Sequence, residues 1–174
     1  MRKTVILFSS ANKNGNTSKL VNQVIAQLHS EHVKLLPIDE LEFSDYCYSN
    51  QYANDDFYLI SDALNWADNI VFASPIYWHS VSSNMKRLID RMTELTENPT
   101  IKPIGKGLKG KQGYVLTTSA HEQVCEIFSG FFDKLFGYFG INNSGLLHVP
   151  CNNGFALTTN TLNQFTQHLH SQKA

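Results

Sequence analysis

The chain has 174 residues, 42% apolar and 17% charged, enough to bury roughly 70% of its unfolded surface around one core. It is too short for two ordinary domains and too apolar for a disordered chain, so residues 1–174 read as a single domain. Fourteen Lys and Arg against fifteen Asp and Glu leave a net charge of -1, which excludes the broad basic field that a nucleic acid or an acidic membrane surface requires.

Val5 to Phe8 is a short, unbroken apolar run and reads as a strand buried on both faces. It stops well short of a signal peptide or a membrane span, so the expected home is the cytoplasm. Leu20, Val21, Val24, Ile25 and Leu28 then recur at helical spacing, with Asn16, Thr17 or Ser18 as the N-cap. Val33 to Ile38 is a second strand, and Asp39 to Asn54 is a polar, irregular connection of the kind that often carries function. Phe57, Ile60, Leu64 and Ala67 form the next helical stripe. Asn69 to Ser74 is a third strand ended by Pro75, and Met85, Leu88, Ile89 and Met92 mark the helix beyond it.

Two prolines and three glycines make residues 98–110 a predicted loop. Tyr114 to Thr118 is a fourth strand. The helix after it carries Val124, Phe128, Phe131, Phe132, Leu135, Phe136 and Phe139, a wide aromatic face that reads either as core or as a subunit interface. Ile141 to Val149 supplies a fifth strand, interrupted by Asn142 to Gly145, and Leu162, Phe165 and Leu169 mark a closing helix. Five strands alternating with five helices imply an α/β fold, a doubly wound parallel sheet in a three-layer sandwich.

Open parallel sheets bind ligands beyond the carboxyl ends of their strands, where the strand order reverses, which singles out the loops after strands one, three and four. The first, Ser9 to Ser18, is dense in hydroxyl and amide side chains and runs into a helix N-terminus. It lacks the glycine-lysine signature of triphosphate loops and the paired glycines of dinucleotide folds. A terminal phosphate monoester held by neutral donors and the helix dipole remains, beside the plainer reading of a solvated polar loop. The second loop, Ser74 to Ser83, places Tyr77 and Trp78 beside Pro75, where flat rings can wall a planar ligand or serve a core or interface.

His79 and His121 are the histidines of these loops; each either stabilises charge or donates a proton during catalysis, or is a surface residue. His29 and His32 at a helix end, and His168 and His170 on different sides of another helix, read as structural. Cys47, Cys125 and Cys151 are widely spaced and form no metal-binding set, so they read as idle thiols and no metal is expected. No serine-nucleophile elbow is present, which argues against a hydrolase.

Lys13 to Ser18 (KNGNTS), Ser74 to Trp78 (SPIYW) and Ser82 to Arg91 (SSNMKRLIDR) together resemble the flavodoxin-like NAD(P)H-dependent FMN reductases. The resemblance covers Thr4 to Arg91 closely and extends by element order to the C-terminal helix. It implies a flavodoxin-like five-stranded sheet, FMN as cofactor and NAD(P)H as reductant. It also implies hydride transfer to a small-molecule electron acceptor such as a quinone, free flavin or nitroaromatic, and a homodimer or homotetramer.

On the family's pattern the phosphate site falls on Ser10, Asn12, Asn14, Asn16, Thr17 and Ser18, and the flavin-flanking loop on Ser74, Pro75, Ile76, Tyr77 and Trp78. Thr118, Ser119 and Ala120 take the third loop, near the pyrimidine edge of the ring. Lys86, Arg87 and Arg91 either meet a nicotinamide nucleotide's phosphates or form a solvated helix face. Ala11 and Asn12 stand where many relatives carry Pro and Arg, and His121 where glycine is common. The segment from Tyr46 to Phe57 is similar to the one where iron-sulfur flavoproteins carry clustered cysteines; only Cys47 remains here, so no cluster is expected. A flavodoxin-type electron carrier and a non-catalytic binding module are the rival functions on the same fold.

Overall fold

The computed structural model describes residues 2–170. Its strands are β1 (Thr4–Phe8), β2 (Val33–Pro37), β3 (Asn69–Ala73), β4 (Gln112–Ser119) and β5 (Asn142–Pro150), all parallel in the order β2-β1-β3-β4-β5. Every residue of β1 and β3 is buried, as continuous apolar runs require when helices cover both faces of a sheet. The helices are α1 (Asn16–Ile25), α2 (Phe57–Trp66), α3 (Ser83–Arg91), α4 (Glu94–Glu97), α5 (Lys102–Gly107), α6 (Glu126–Phe139) and α7 (Thr159–His170).

Side-chain alternation divides the core in two. Ile6, Phe8, Val71 and Leu116 pack with Leu20, Val21 and Val24 of α1 and with Leu162 and Phe165 of α7. Val5, Leu7, Phe72 and Val115 pack with residues of α2, α3 and α6 on the other face. The five parallel strands and the three layers are those expected of a flavodoxin-like sandwich, while α4 and α5 are additional to the five helices expected.

Three local expectations change, and one open alternative is resolved. The N-cap of α1 is Gly15 rather than Asn16, Thr17 or Ser18, which instead fill the first turn. The predicted loop at 98–110 contains α5, because Pro103 in a first turn is preorganised for helix and Gly105 allows close packing on α4, where a Cβ would collide with the Leu95 carbonyl oxygen. β5 is not interrupted; Ser144 is the extra residue of a bulge between the pairs Gly113 with Asn143 and Tyr114 with Gly145. The phenylalanine face of α6 is core: Phe128, Phe132, Phe136 and Phe139 are buried, while the outward residues Ile127 and Tyr138 are exposed.

The polar connection before α2 is held down by charge. Asp55 and Asp56 accept the backbone N–H groups of Ser44 and Glu42 at 2.9 and 2.8 Å, and Asp55 also meets Arg91 at 3.2 Å. Arg91 is fully buried, so it is unavailable to a nucleotide phosphate, and Lys86 is paired with Asp90 at 2.6 Å. No helix among the described residues is long and apolar enough to cross a membrane.

Candidate active site

β1 and β3 are neighbours although β2 lies between them in sequence, so the chain turns outward in opposite directions from this point and leaves a crevice at the strand ends. The three loops at its rim are sewn together by backbone hydrogen bonds. Ser9 N–H donates to the Ala73 carbonyl, Ser74 N–H to that of Leu116 and Ile76 N–H to that of Thr118, each at 3.0 Å.

Asp39, in the turn after β2, is a site residue that local spacing does not reveal. Its carboxylate accepts Ser10 N–H at 2.7 Å, Ser9 Oγ–H at 3.0 Å and Asn84 Nδ2–H at 2.7 Å. Ser9 Oγ lies 2.6 Å from Ser82 Oγ, and Ser82 N–H donates to Ser74 Oγ at 2.9 Å. The first and second loops and the start of α3 therefore form one hydrogen-bonded frame.

Within the first loop, Ser10 and Asn12 shape the chain. Ser10 Oγ donates to the Asn12 carbonyl at 3.2 Å, and Asn12 Oδ1 accepts Asn14 N–H at 3.0 Å. Gly15 follows because a Cβ there would lie 3.1 Å from the Asn12 carbonyl oxygen. Lys13, which follows the position of the family's arginine, is paired with Glu40 at 2.8 Å on the exposed side of the loop. The N–H groups of Asn16, Thr17 and Ser18, in the first turn of α1, have no intrahelical acceptors and stand at the positive end of the helix dipole. This donor set is neutral and fits a phosphate monoester. Thr17 is buried with Oγ1 2.7 Å from Thr118 Oγ1, tying the helix start to the end of β4. Asn16 is directed at Cys151, whose thiol burial pushes above its ordinary range against the effect of that hydrogen bond.

The second loop makes a two-residue reversal. Tyr77 N–H donates to Ser80 O at 2.8 Å and Ser80 N–H to Tyr77 O at 3.0 Å, with Trp78 at φ 47° and His79 at φ 64° between them. Left-handed backbone costs an ordinary L residue roughly 1–2 kcal/mol, so two such residues in sequence mark a place where strain is retained. Ser74 and Pro75 are buried beneath the turn, Tyr77 is exposed, and Trp78 is 96% exposed at its tip. A cavity of about 680 Å³ opens between this turn and the end of β4, lined by Ile76, Trp78, His79, Ser119, His121 and Cys125 among others. That volume is in the range of small-molecule sites, and its flat aromatic and aliphatic lip suits a planar ring.

At the end of β4, Ser119 Oγ lies 2.9 Å from His148 Nε2 and accepts His121 N–H at 3.1 Å, while Ala120 and His121 are exposed. His148 carries no sequence signal, since only the β4–β5 register, which pairs it with Thr117, brings it here. Burial pushes the His148 pKa below the ordinary histidine value, against the charge of Glu122. A lowered folded-state pKa makes its contribution to stability complete above the unfolded value of about 6.5 and lost as pH falls from there through the folded value. The unfolding free energy of the native protein is therefore expected to drop more steeply on acidification below about pH 6.5 than that of His148→Gln, as read by urea unfolding across that interval. Parallel profiles would remove His148 from the titrating groups that matter.

The sequence profile of the NADPH-dependent FMN reductase family matches residues 2–127. A Bacillus subtilis (strain 168) protein named as an NAD(P)H-dependent FMN-containing oxidoreductase, YwqN, is 23% identical over 150 residues, 82% of each chain. An iron-sulfur flavoprotein of Archaeoglobus fulgidus is 26% identical over 148 residues, 80% of this chain and 64% of that one. Among solved structures, the Trp repressor binding protein of Bacillus subtilis superposes with a TM-score of 0.75 at 17% identity, covering 98% of this chain and all of its own. With free helix-start donors after β1, a ring-sized cavity after β3 and β4, and the family profile matching residues 2–127, the chain belongs to the NADPH-dependent FMN reductases, flavodoxin-like oxidoreductases that work with FMN and NAD(P)H.

Proposed function

We propose that the protein transfers a hydride from NAD(P)H to a small diffusible acceptor such as a quinone, a free flavin or a nitroaromatic. The observation that carries this reading is the placing, at neighbouring strand ends, of the free first-turn N–H groups of α1 and of a cavity of about 680 Å³ with Trp78 at its lip, the two regions being tied by the 2.7 Å contact of Thr17 Oγ1 with Thr118 Oγ1. FMN, when bound, supplies the two-electron chemistry.

The rest is the work of this chain's residues. The first-turn N–H groups of Asn16, Thr17 and Ser18 hold the phosphate, and the Asp39 frame fixes the loop that presents them. Ile76 and Trp78 flank the ring, and Ser119, bonded to His148, sets a hydroxyl at the cavity wall. Trp78 stands in solvent at the lip, so one side of the cavity stays open to acceptors that diffuse in and out. The three free cysteines agree with a reducing, cytoplasmic setting, and the exposed Ile127 and Tyr138 of α6 offer a face for a homodimer or homotetramer.

Anaerobic stopped-flow mixing of FMN-loaded protein with NADH or NADPH tests the reading. Two-electron bleaching of the visible flavin absorbance by at least one nucleotide, followed by recovery on adding a quinone, is the expected result. No bleaching with either nucleotide would leave an electron carrier or a binding module.

A further inference from the structure

The three thiols have different surroundings. Cys47 is exposed and lies 3.0 Å from Ser49 Oγ, and Cys151 is half-buried with its Sγ–H directed at the Val149 carbonyl. Cys125 is the N-cap of α6, and its Sγ lies 3.1 Å from His79 Nδ1. Both residues line the cavity beside Ile76 and Trp78. A thiol with a base in hydrogen-bond reach, facing a ligand-sized cavity, is the arrangement of an activated nucleophile. Hydride transfer needs no nucleophile, so the activity proposed above leaves this pair without a role.

We propose that Cys125, with His79 as its base, is a covalent modification site for quinone electrophiles that enter the cavity, and that the adduct closes it. The proposal rests on the reading of this cavity as the seat of the redox reaction, which is what brings quinones to it. A planar conjugated ring lies flat against Ile76 and Trp78, whereas a peptidic disulfide would bring its carboxylates against Glu122 in the same wall. In the step, Sγ bonds to a ring carbon conjugated with a carbonyl, and the π pair of that C=C bond moves through to the carbonyl oxygen. The thiol proton passes to His79 and on to that oxygen. The proton on the attacked carbon then moves to the second oxygen, leaving a hydroquinone thioether. The quinone ring takes up the two electrons, the sulfur becomes a thioether, and no further oxidant or reductant is consumed.

The test treats purified wild-type and His79→Asn proteins with 1,4-benzoquinone and follows each thiol by intact mass and peptide mapping. Asparagine tolerates the left-handed backbone at residue 79, so the turn is kept while the base is removed. One quinone mass is expected on Cys125, formed at least about tenfold faster in the wild type than in His79→Asn. Cys47, outside the cavity, should react at the same rate in both proteins and serves as the reference for folding and access. The adducted wild type should take up FMN less tightly than treated Cys125→Ser. Equal Cys125 rates in the two proteins, or labelling confined to Cys47 and Cys151, would overturn the proposal. FMN uptake by untreated wild type, measured on the same preparation, separates the two readings: its absence sinks the flavin reading, while the His79-dependent rate alone decides the nucleophile.

Discussion

Arg91→Leu is expected to lower the unfolding free energy by about 3–5 kcal/mol, the range for breaking a buried ion network by removing one partner. Arg91 and Glu94 are both fully buried and Asp55 nearly so, with Nη2 of Arg91 2.8 Å from Glu94 Oε2 and Nη1 3.2 Å from Asp55 Oδ2. Glu94 Oε1 also accepts Asn98 Nδ2–H at 2.7 Å and Tyr58 O–H at 3.1 Å. The guanidinium is also stacked 3.3 Å from the Tyr52 ring and 4.6 Å from that of Phe57.

Leucine fills much of the volume but strands two carboxylates away from water, which is where the cost arises. Urea unfolding with an unchanged dependence on denaturant is the measurement. Lys86→Ala, which breaks an exposed pair on the same helix, should change stability by less than about 1 kcal/mol and is the control. A loss for Arg91→Leu no larger than the control's would show that the network contributes little. Because Asp55 belongs to the connection before α2, the variant should also loosen that segment, and hydrogen exchange at residues 42–56 reads this separately.

Phe132→Ala should cost a similar amount, about 3–5 kcal/mol, by leaving a cavity in the larger half of the core. Phe132 is 1% exposed, and its ring centroid lies 5.6 Å from that of Phe72, 5.3 Å from those of Phe128 and Phe131, and 5.7 Å from that of Phe136. Removing one ring from such a cluster forfeits both buried area and edge-to-face contacts. The midpoint of thermal unfolding is expected to fall by roughly 10 °C, while Tyr138→Ala on the exposed side of α6 should leave it nearly unchanged. A small shift for Phe132→Ala would mean that the neighbouring rings collapse into the space. Phe72 belongs to β3, whose carboxyl end carries the aromatic turn, so the same cluster supports the cavity from below.

The aromatic helix shows where pattern reading stops. Its seven apolar positions declare a helix with a wide face, but core and interface look alike in sequence, because both demand removal of the same rings from water. Arg91 shows the converse. A cation four residues from another on an amphipathic helix reads as solvated or ligand-binding, and only the fold brings Asp55, Tyr52 and Phe57 around it. At 98–110, glycine and proline announce a loop by composition, yet Gly105 is there for close packing on α4 and Pro103 for a helix start.

What the sequence by itself determined is the five strands, the main helices, the three loops at the strand ends and the family to which they belong. Each of these is written in local terms, as hydrophobic period, turn chemistry and contiguous motif, which the chain carries whether folded or not. The tertiary structure alone decided that Asp39 frames the first loop, that Ser119 meets His148, that Thr17 meets Thr118 and that Cys125 meets His79. Those pairs join residues from different elements, and their distances follow from sheet register, helix packing and a strained left-handed turn, none of which leaves a spacing in the sequence to be read.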